Sequence, residues 1–178
     1  GELLKNGGEK AVFTEADYDI GQIWENNLYV KSKFQAEGIV FKAMDEGLPA
    51  KIFRLGRLIG RSDDGIFQKN PDTNAFYLLM RGFYLVGAIP ELTKKVKVEL
   101  MPVDIAAAEV LALKDSGGRV FHIMNPDPPT AETAAKAVDE GTYVVPDEVF
   151  TQMLSETAKG PYRERLSPLI DYWHRVRV

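Results

Sequence analysis

Tyr29 and Lys33 are the residues whose types and spacing could do chemistry. They sit in the run Asn26-Asn27-Leu28-Tyr29-Val30-Lys31-Ser32-Lys33. On a helix, a separation of four stacks both side chains on one face, one turn apart. A lysine ammonium held near a phenol favours the phenolate, so the tyrosine can exchange a proton with a carbonyl or an alkoxide. That is the acid/base half of a hydride-transfer site. The spacing alone is also that of ordinary helix surface, because short motifs recur by chance.

The elements that must position this pair follow from periodicity. Asn27 is a good N-cap residue for a helix. Val30, Phe34, Phe41 and Met44 form its apolar stripe, widened by Ala36, Val40 and Ala43, so much of this helix is expected to be buried. Gly47 and Pro49 end it. A short strand is expected over Ala50–Gly56, with Ile52 and Phe53 at its centre. A turn at Arg61-Ser62-Asp63-Asp64-Gly65 follows.

Phe76, Leu79, Met80 and Phe83 then recur at helical spacing between about Asn74 and Val86. This stripe reads as core, or as the lining of an acyl channel. Val96–Leu100 alternates like a half-buried strand. Asp104 is expected to cap an alanine-rich helix running to about Lys114. Val120–Met124 is a further strand, in which His122 reads as a satisfied core histidine. Helices over 131–139 and 147–158, an extended piece at 143–145 and a last amphipathic helix ending near Trp173 complete the chain. His174 reads as surface. Residues 1–26 are polar, with Glu15, Asp17, Asp19 and Glu25 making them acidic, and read as a loop-rich lead-in. The opening Gly1-Glu2-Leu3-Leu4-Lys5-Asn6-Gly7-Gly8 looks truncated. The alternation of helices and strands is that of an α/β layered fold.

Composition sets limits. The chain has 178 residues, 45% hydrophobic and 27% charged, as in a soluble globular protein. A net charge of −4 and a pI near 5.3 give no basic footprint for nucleic acid. The absence of cysteine excludes disulfides, zinc-thiolate sites and thiol catalysis, and accords with a cytoplasmic location. No metal-ligand pattern, signal peptide or run long enough to span a bilayer occurs. Nor does a G-x-G-x-x-G or G-x-x-G-x-x-G turn, which a dinucleotide's pyrophosphate would need. Gly56-Arg57-Leu58-Ile59-Gly60 carries two glycines and follows the tyrosine helix instead of preceding it.

Several segments in order carry a resemblance. Phe13-Thr14-Glu15, then Tyr29-Val30-Lys31-Ser32-Lys33-Phe34-Gln35-Ala36-Glu37, Gly47-Leu48-Pro49, Ile52–Gly60 and Met101-Pro102-Val103-Asp104 resemble the extended short-chain dehydrogenase/reductase superfamily. Within it they look most like the thioester reductases, the NAD(P)H-dependent terminal domains of non-ribosomal peptide synthetases and carboxylic acid reductases. The resemblance covers residues 11 to about 125. It implies the C-terminal portion of a Rossmann-like, doubly wound fold plus a mainly helical substrate-side subdomain, with the N-terminal glycine-rich βαβ unit absent. Residues 1–70 would be the nucleotide-side remnant. Residues 71–178 would be mainly the substrate side, with a return strand near 119–124.

The roles implied are equally specific. Tyr29 would protonate the developing oxyanion, and Lys33 would support its ionisation and hydrogen-bond the nicotinamide ribose. Gly56, Arg57 and Leu58 would lie where backbone approaches the nicotinamide, although a plain strand exit would also need Gly56 for its turn. Arg54 could face the substrate or make a structural ion pair. Lys94, Lys95 and Lys97 could attract an acidic carrier protein or its phosphopantetheine phosphate, or be a solvated loop. The whole protein would use NADPH or NADH to release a carrier-bound acyl or peptidyl thioester as aldehyde or alcohol. This piece alone would bind no cofactor and be inactive. A nucleotide-sugar epimerase or dehydratase, or a non-catalytic binding module, are the competing expectations.

Overall fold

A computed structural model describes residues 2–4, 10–22 and 27–176. Glu25, Asn26 and most of Gly1–Gly8, singled out above, lie outside the described residues. The order is β1 (Glu2–Leu4), β2 (Lys10–Val12), α1 (Leu28–Asp45), β3 (Ile52–Leu55), β4 (Leu58–Ile59), α2 (Ala75–Val86), β5 (Ala88–Pro90), β6 (Met101–Pro102), α3 (Val103–Leu113), β7 (Val120–Ile123), α4 (Ala131–Val138), β8 (Tyr143–Val145), α5 (Asp147–Thr157) and α6 (Arg163–Val176). The chain is α/β, as the alternation implied, and it divides into two compact units. One comprises residues 1–58 and 103–124, the other residues 59–102 and 125–178.

In the first unit β3 pairs in parallel with β7, Ile52 opposite Val120 and Leu55 opposite Ile123. Parallel neighbours need a crossover, which here spans everything between residues 56 and 119. α1 starts at Asn27 because the Asn27 side chain accepts from the backbone N–H groups of Tyr29 and Val30, at 3.1 and 3.2 Å. It stops at Gly47, whose φ of 102° suits glycine. The expectation that much of α1 is buried is corrected: none of its residues is buried, and Val30 is exposed. Its apolar stripe meets Tyr18, which stacks on Phe34 at 4.5 Å and sets its edge against Phe41 at 5.3 Å.

The second unit holds a dense core. Phe83 and Val86 of α2, Ile89 of β5, Phe150 and Leu154 of α5, and Leu166, Leu169 and Trp173 of α6 pack together with little or no exposure. The Phe76/Leu79/Met80/Phe83 stripe resolves accordingly: Phe83 is core, and Leu79 and Met80 pack against it. Gly82 lets α2 and α6 approach closely, since a Cβ there would lie 2.7 Å from Leu169 Cβ. The Trp173 indole N–H donates to Thr151 Oγ1 at 3.0 Å, satisfying a polar tip inside this core.

Other expectations need correction. Residues 2–4 and 10–12, read as irregular, pair antiparallel as β1 and β2. Three residues are too few for alternation to register. Val96–Leu100 is not a strand; Lys97 makes one isolated antiparallel bridge to Thr130. The neighbouring segment contains Pro128 and Pro129, which have no N–H to extend a ladder. Asp104 lies inside the first turn of α3, which begins at Val103. A carboxylate there still favours the helix N-terminus.

Candidate active site

Tyr29 and Lys33 occupy the first two turns of α1. The Lys33 ammonium lies 5.5 Å from the centroid of the Tyr29 ring, and the ring is 71% exposed. The phenol and ammonium are thus offered together to whatever binds at this end of the helix. Ser32 Oγ donates to the Tyr29 carbonyl at 2.8 Å. Gly56 lies on a separate element, at the exit of β3, where its N–H donates to the Ile123 carbonyl at 2.7 Å. Arg57 is exposed there, and Leu58 is half-buried in β4. The structure therefore brings the two helix residues together and places the three strand-exit residues on another element.

One turn after Lys33, Glu37 of α1 joins a polar cluster around Arg54. Its Nε and Nη2 both bind Glu37 of α1, the latter at 2.5 Å. Nη2 also donates to the Asp17 carbonyl at 2.5 Å, and Nη1 to the Thr14 carbonyl at 2.9 Å. Nη1 further donates to His122 Nε2 at 3.0 Å. The guanidinium stacks over Phe13 at 4.4 Å. Arg54 is thus the structural anchor that its strand position allowed, and all five of its N–H donors are used. His122 is half-buried and satisfied. Burial, chiefly, holds its ring below the usual histidine range, so it stays neutral and can accept from Arg54. Glu15 accepts the backbone N–H of His122 at 3.3 Å, and backbone hydrogen bonding lowers its carboxyl.

The segment ahead of α1 is fastened to the helix at a second point. Tyr18 Oη donates to the Phe34 carbonyl at 2.9 Å, and burial raises the phenol, keeping it a neutral donor. Gly38 makes the notch that admits it, for a Cβ there would sit 2.2 Å from Tyr18 Oη. Glu37 entered the sequence reading only as the last residue of the Tyr29–Glu37 run, with no role given to it, and the notch was not read at all. The signals available were the i,i+4 spacing of Lys33 and Glu37 and a glycine inside a helix.

A cleft of about 600 Å³ opens elsewhere in this unit, lined by Met44, Leu48, Lys51, Phe53 and Arg119. Met44 is about 22 Å of helix rise from Tyr29, so the cleft is not part of the tyrosine/lysine site. In the other unit, Lys94 pairs with Glu91. Lys97 donates to the Pro128 carbonyl at 2.8 Å and lies 3.6 Å from Asp127, while Lys95 is exposed. Two of the three loop lysines are therefore already engaged. Among the described residues no group of three His, Cys, Asp or Glu could hold a metal ion, and no helix is long and apolar enough to cross a membrane.

Residues 2–110 match the family of NAD-binding domains described as Male sterility protein, and the chain belongs to that family. A linear gramicidin synthase polypeptide of Brevibacillus parabrevis is 29% identical over 126 residues, 69% of this chain and 2% of that protein. A thiolation-reductase di-domain from an archaeal non-ribosomal peptide synthetase superposes with a TM-score of 0.73 at 30% identity. That match covers 92% of this chain and 43% of the other. The reductase domain of the aureusimine biosynthetic cluster superposes at 0.82 over 99% of this chain and 47% of that one. At 24% identity this last likeness is one of fold. The chain thus spans less than half the length of these solved relatives. It is a member of an NAD(P)-binding reductase family related to the reductase domains of non-ribosomal peptide synthetases, as its motifs implied.

A nicotinamide cofactor can be set against the residues present. The exposed hydroxyl and ammonium of Tyr29 and Lys33 are the donor set that a ribose and a reacting carbonyl require. For the pyrophosphate, the sequence has no glycine-rich strand-to-helix turn. The fit is to the nicotinamide end alone.

Proposed function

We propose that this chain is the tyrosine/lysine half of a reductase that releases a carrier-bound acyl or peptidyl thioester as an aldehyde or alcohol. The observation that carries the reading is the pairing of Tyr29 and Lys33 on one exposed face at the start of α1. It is supported by likeness to a thiolation-reductase di-domain at 30% identity. When bound, NADPH or NADH supplies the hydride. Tyr29 Oη gives its proton to the oxygen of the reacting carbonyl as negative charge develops there. Lys33 holds the ribose hydroxyls by hydrogen bonds and places its charge beside the phenol. Gly56, Arg57 and Leu58 present backbone to the nicotinamide at the strand exit.

Residues 1–70 serve the nucleotide side and 71–178 mainly the substrate side, with the strand near 119–124 returning to the nucleotide side. The partner is a phosphopantetheinyl carrier protein, met in the cytoplasm, and neither nucleic acid nor membrane takes part. Without a pyrophosphate turn, the 178-residue chain alone neither holds the cofactor well nor turns over. In the full-length protein, Tyr29→Phe is expected to lower kcat by about 10²–10⁴, the usual weight of a positioned acid, with the cofactor Kd little changed. Stopped-flow NADPH oxidation with a pantetheinyl thioester, alongside a fluorescence titration of NADPH, reads both. Unchanged turnover would remove Tyr29 from the mechanism. Oxidation driven by a nucleotide-sugar but not by the thioester would replace this reading with the epimerase or dehydratase one.

A further inference from the structure

Lys33 has a carboxylate one turn along its own helix, at Glu37. A lysine and a glutamate at i and i+4 ordinarily pair. Here Glu37 is turned to Arg54, which binds Oε1 through Nε and Nη2 and Oε2 through Nε. The two side chains, Arg54 and Glu37, are only 13% and 21% exposed, so the contact is drier than a surface pair and strengthened accordingly. Arg54 is itself held on three further sides, by the Thr14 and Asp17 carbonyls and by His122 Nε2. It cannot follow Glu37 toward the helix surface without breaking those bonds. The Lys33 ammonium, by contrast, lies by the Tyr29 ring.

We propose that Arg54 is a positioning residue that keeps Lys33 available to Tyr29 by occupying Glu37, the carboxylate that would otherwise capture the lysine. The convergence of donors matters: Nε and Nη2 both bind Oε1, and Nε also reaches Oε2 at 3.3 Å, so one guanidinium edge holds the carboxylate. The functional weight of the arrangement rests on the reductase reading. The arrangement itself is a property of this chain and is testable without cofactor or substrate.

The test is a double-mutant cycle on the rate at which Lys33 is acylated by a water-soluble N-hydroxysuccinimide ester, followed by mass spectrometry of its peptide. Arg54→Met is expected to slow acylation of Lys33 about two- to threefold, the scale of a newly formed i,i+4 ion pair. Glu37→Gln alone should change the rate by less than about 1.5-fold, since Glu37 is not on Lys33. The double variant should return to the rate of Glu37→Gln. A purely structural role for Arg54, or a general loss of one positive charge, would slow or speed Lys33 equally in both backgrounds. That outcome overturns the proposal, as does an unchanged rate in Arg54→Met. Should Arg54→Met fail to give a native circular dichroism spectrum, Glu37→Gln decides alone: a rise above about twofold means that Glu37 already holds Lys33. Failure here would leave the reductase reading intact, and a failed Tyr29→Phe test would leave this cycle intact.

Discussion

The seat of Tyr18 against α1 can be tested by asking whether two substitutions share one cost. Gly38→Ala puts a methyl 2.2 Å from Tyr18 Oη and 2.9 Å from Cζ, so the phenol must leave the notch. Its hydrogen bond to the Phe34 carbonyl is then lost, about 1 kcal/mol. Its stacking on Phe34, 4.5 Å between centroids, is weakened by about another 1 kcal/mol. Alanine in place of glycine inside a helix returns about 1 kcal/mol. The expected net loss is about 1 kcal/mol. Tyr18→Phe loses only the hydrogen bond, again about 1 kcal/mol.

In the double variant the hydrogen bond can be lost only once. The total should therefore be about 1 kcal/mol, not about 2, a coupling of about 1 kcal/mol. Urea unfolding followed by circular dichroism measures the four stabilities, and amide exchange across α1 reports on this unit alone. Additivity within about 0.3 kcal/mol would show that the phenol is not seated in the Gly38 notch.

Two further predictions concern pH and packing. His122 is held below its ordinary pKa of 6.5, mainly by burial, so the unfolded chain binds a proton that the folded one refuses. Its stabilisation is complete above about 6.5 and is lost as pH falls from there toward the lowered folded value. His122→Gln should flatten the slope of unfolding free energy between about pH 7 and 5, and equal slopes would show that the ring is not the titrating group. In the other unit, Gly82→Ala sets a methyl 2.7 Å from Leu169 Cβ, an atom fixed to the α6 backbone that cannot swing aside. Overpacking of about 1–3 kcal/mol exceeds the helix-propensity gain of about 1 kcal/mol, so thermal melting should come earlier by a few degrees. A rise in Tm would mean that α6 yields freely.

What was legible in the sequence depended on whether the cause was local. The Asn27 cap, the Gly47 stop and the α2 stripe from Phe76 to Phe83 are written in neighbouring residues, and they stand as expected. Burial of α1 was not legible from its stripe, because an apolar face says nothing about how much sheet is present to cover it. The strand expected at Val96–Leu100 failed for a non-local reason as well: its neighbour has prolines where N–H groups were needed. At the site, the Tyr29/Lys33 contact follows from helix geometry alone. The Arg54 cluster joins residues 40 and 68 positions apart in the chain; the β3–β7 register sets His122 beside Arg54, and no local pattern announces that contact or the one to Thr14.

The path of the chain has a consequence for how the protein is made and cut. It enters the second unit at residue 59, returns to the first at 103 and leaves it again at 125. A ribosome must therefore deliver all of residues 59–102 before β7 exists to pair with β3. Until then Arg54 lacks His122, and the tyrosine-bearing helix is attached to an unfinished sheet. A gene divided near residue 102 would express neither unit whole: one product would hold β3 and the other its only partner strand among the described residues.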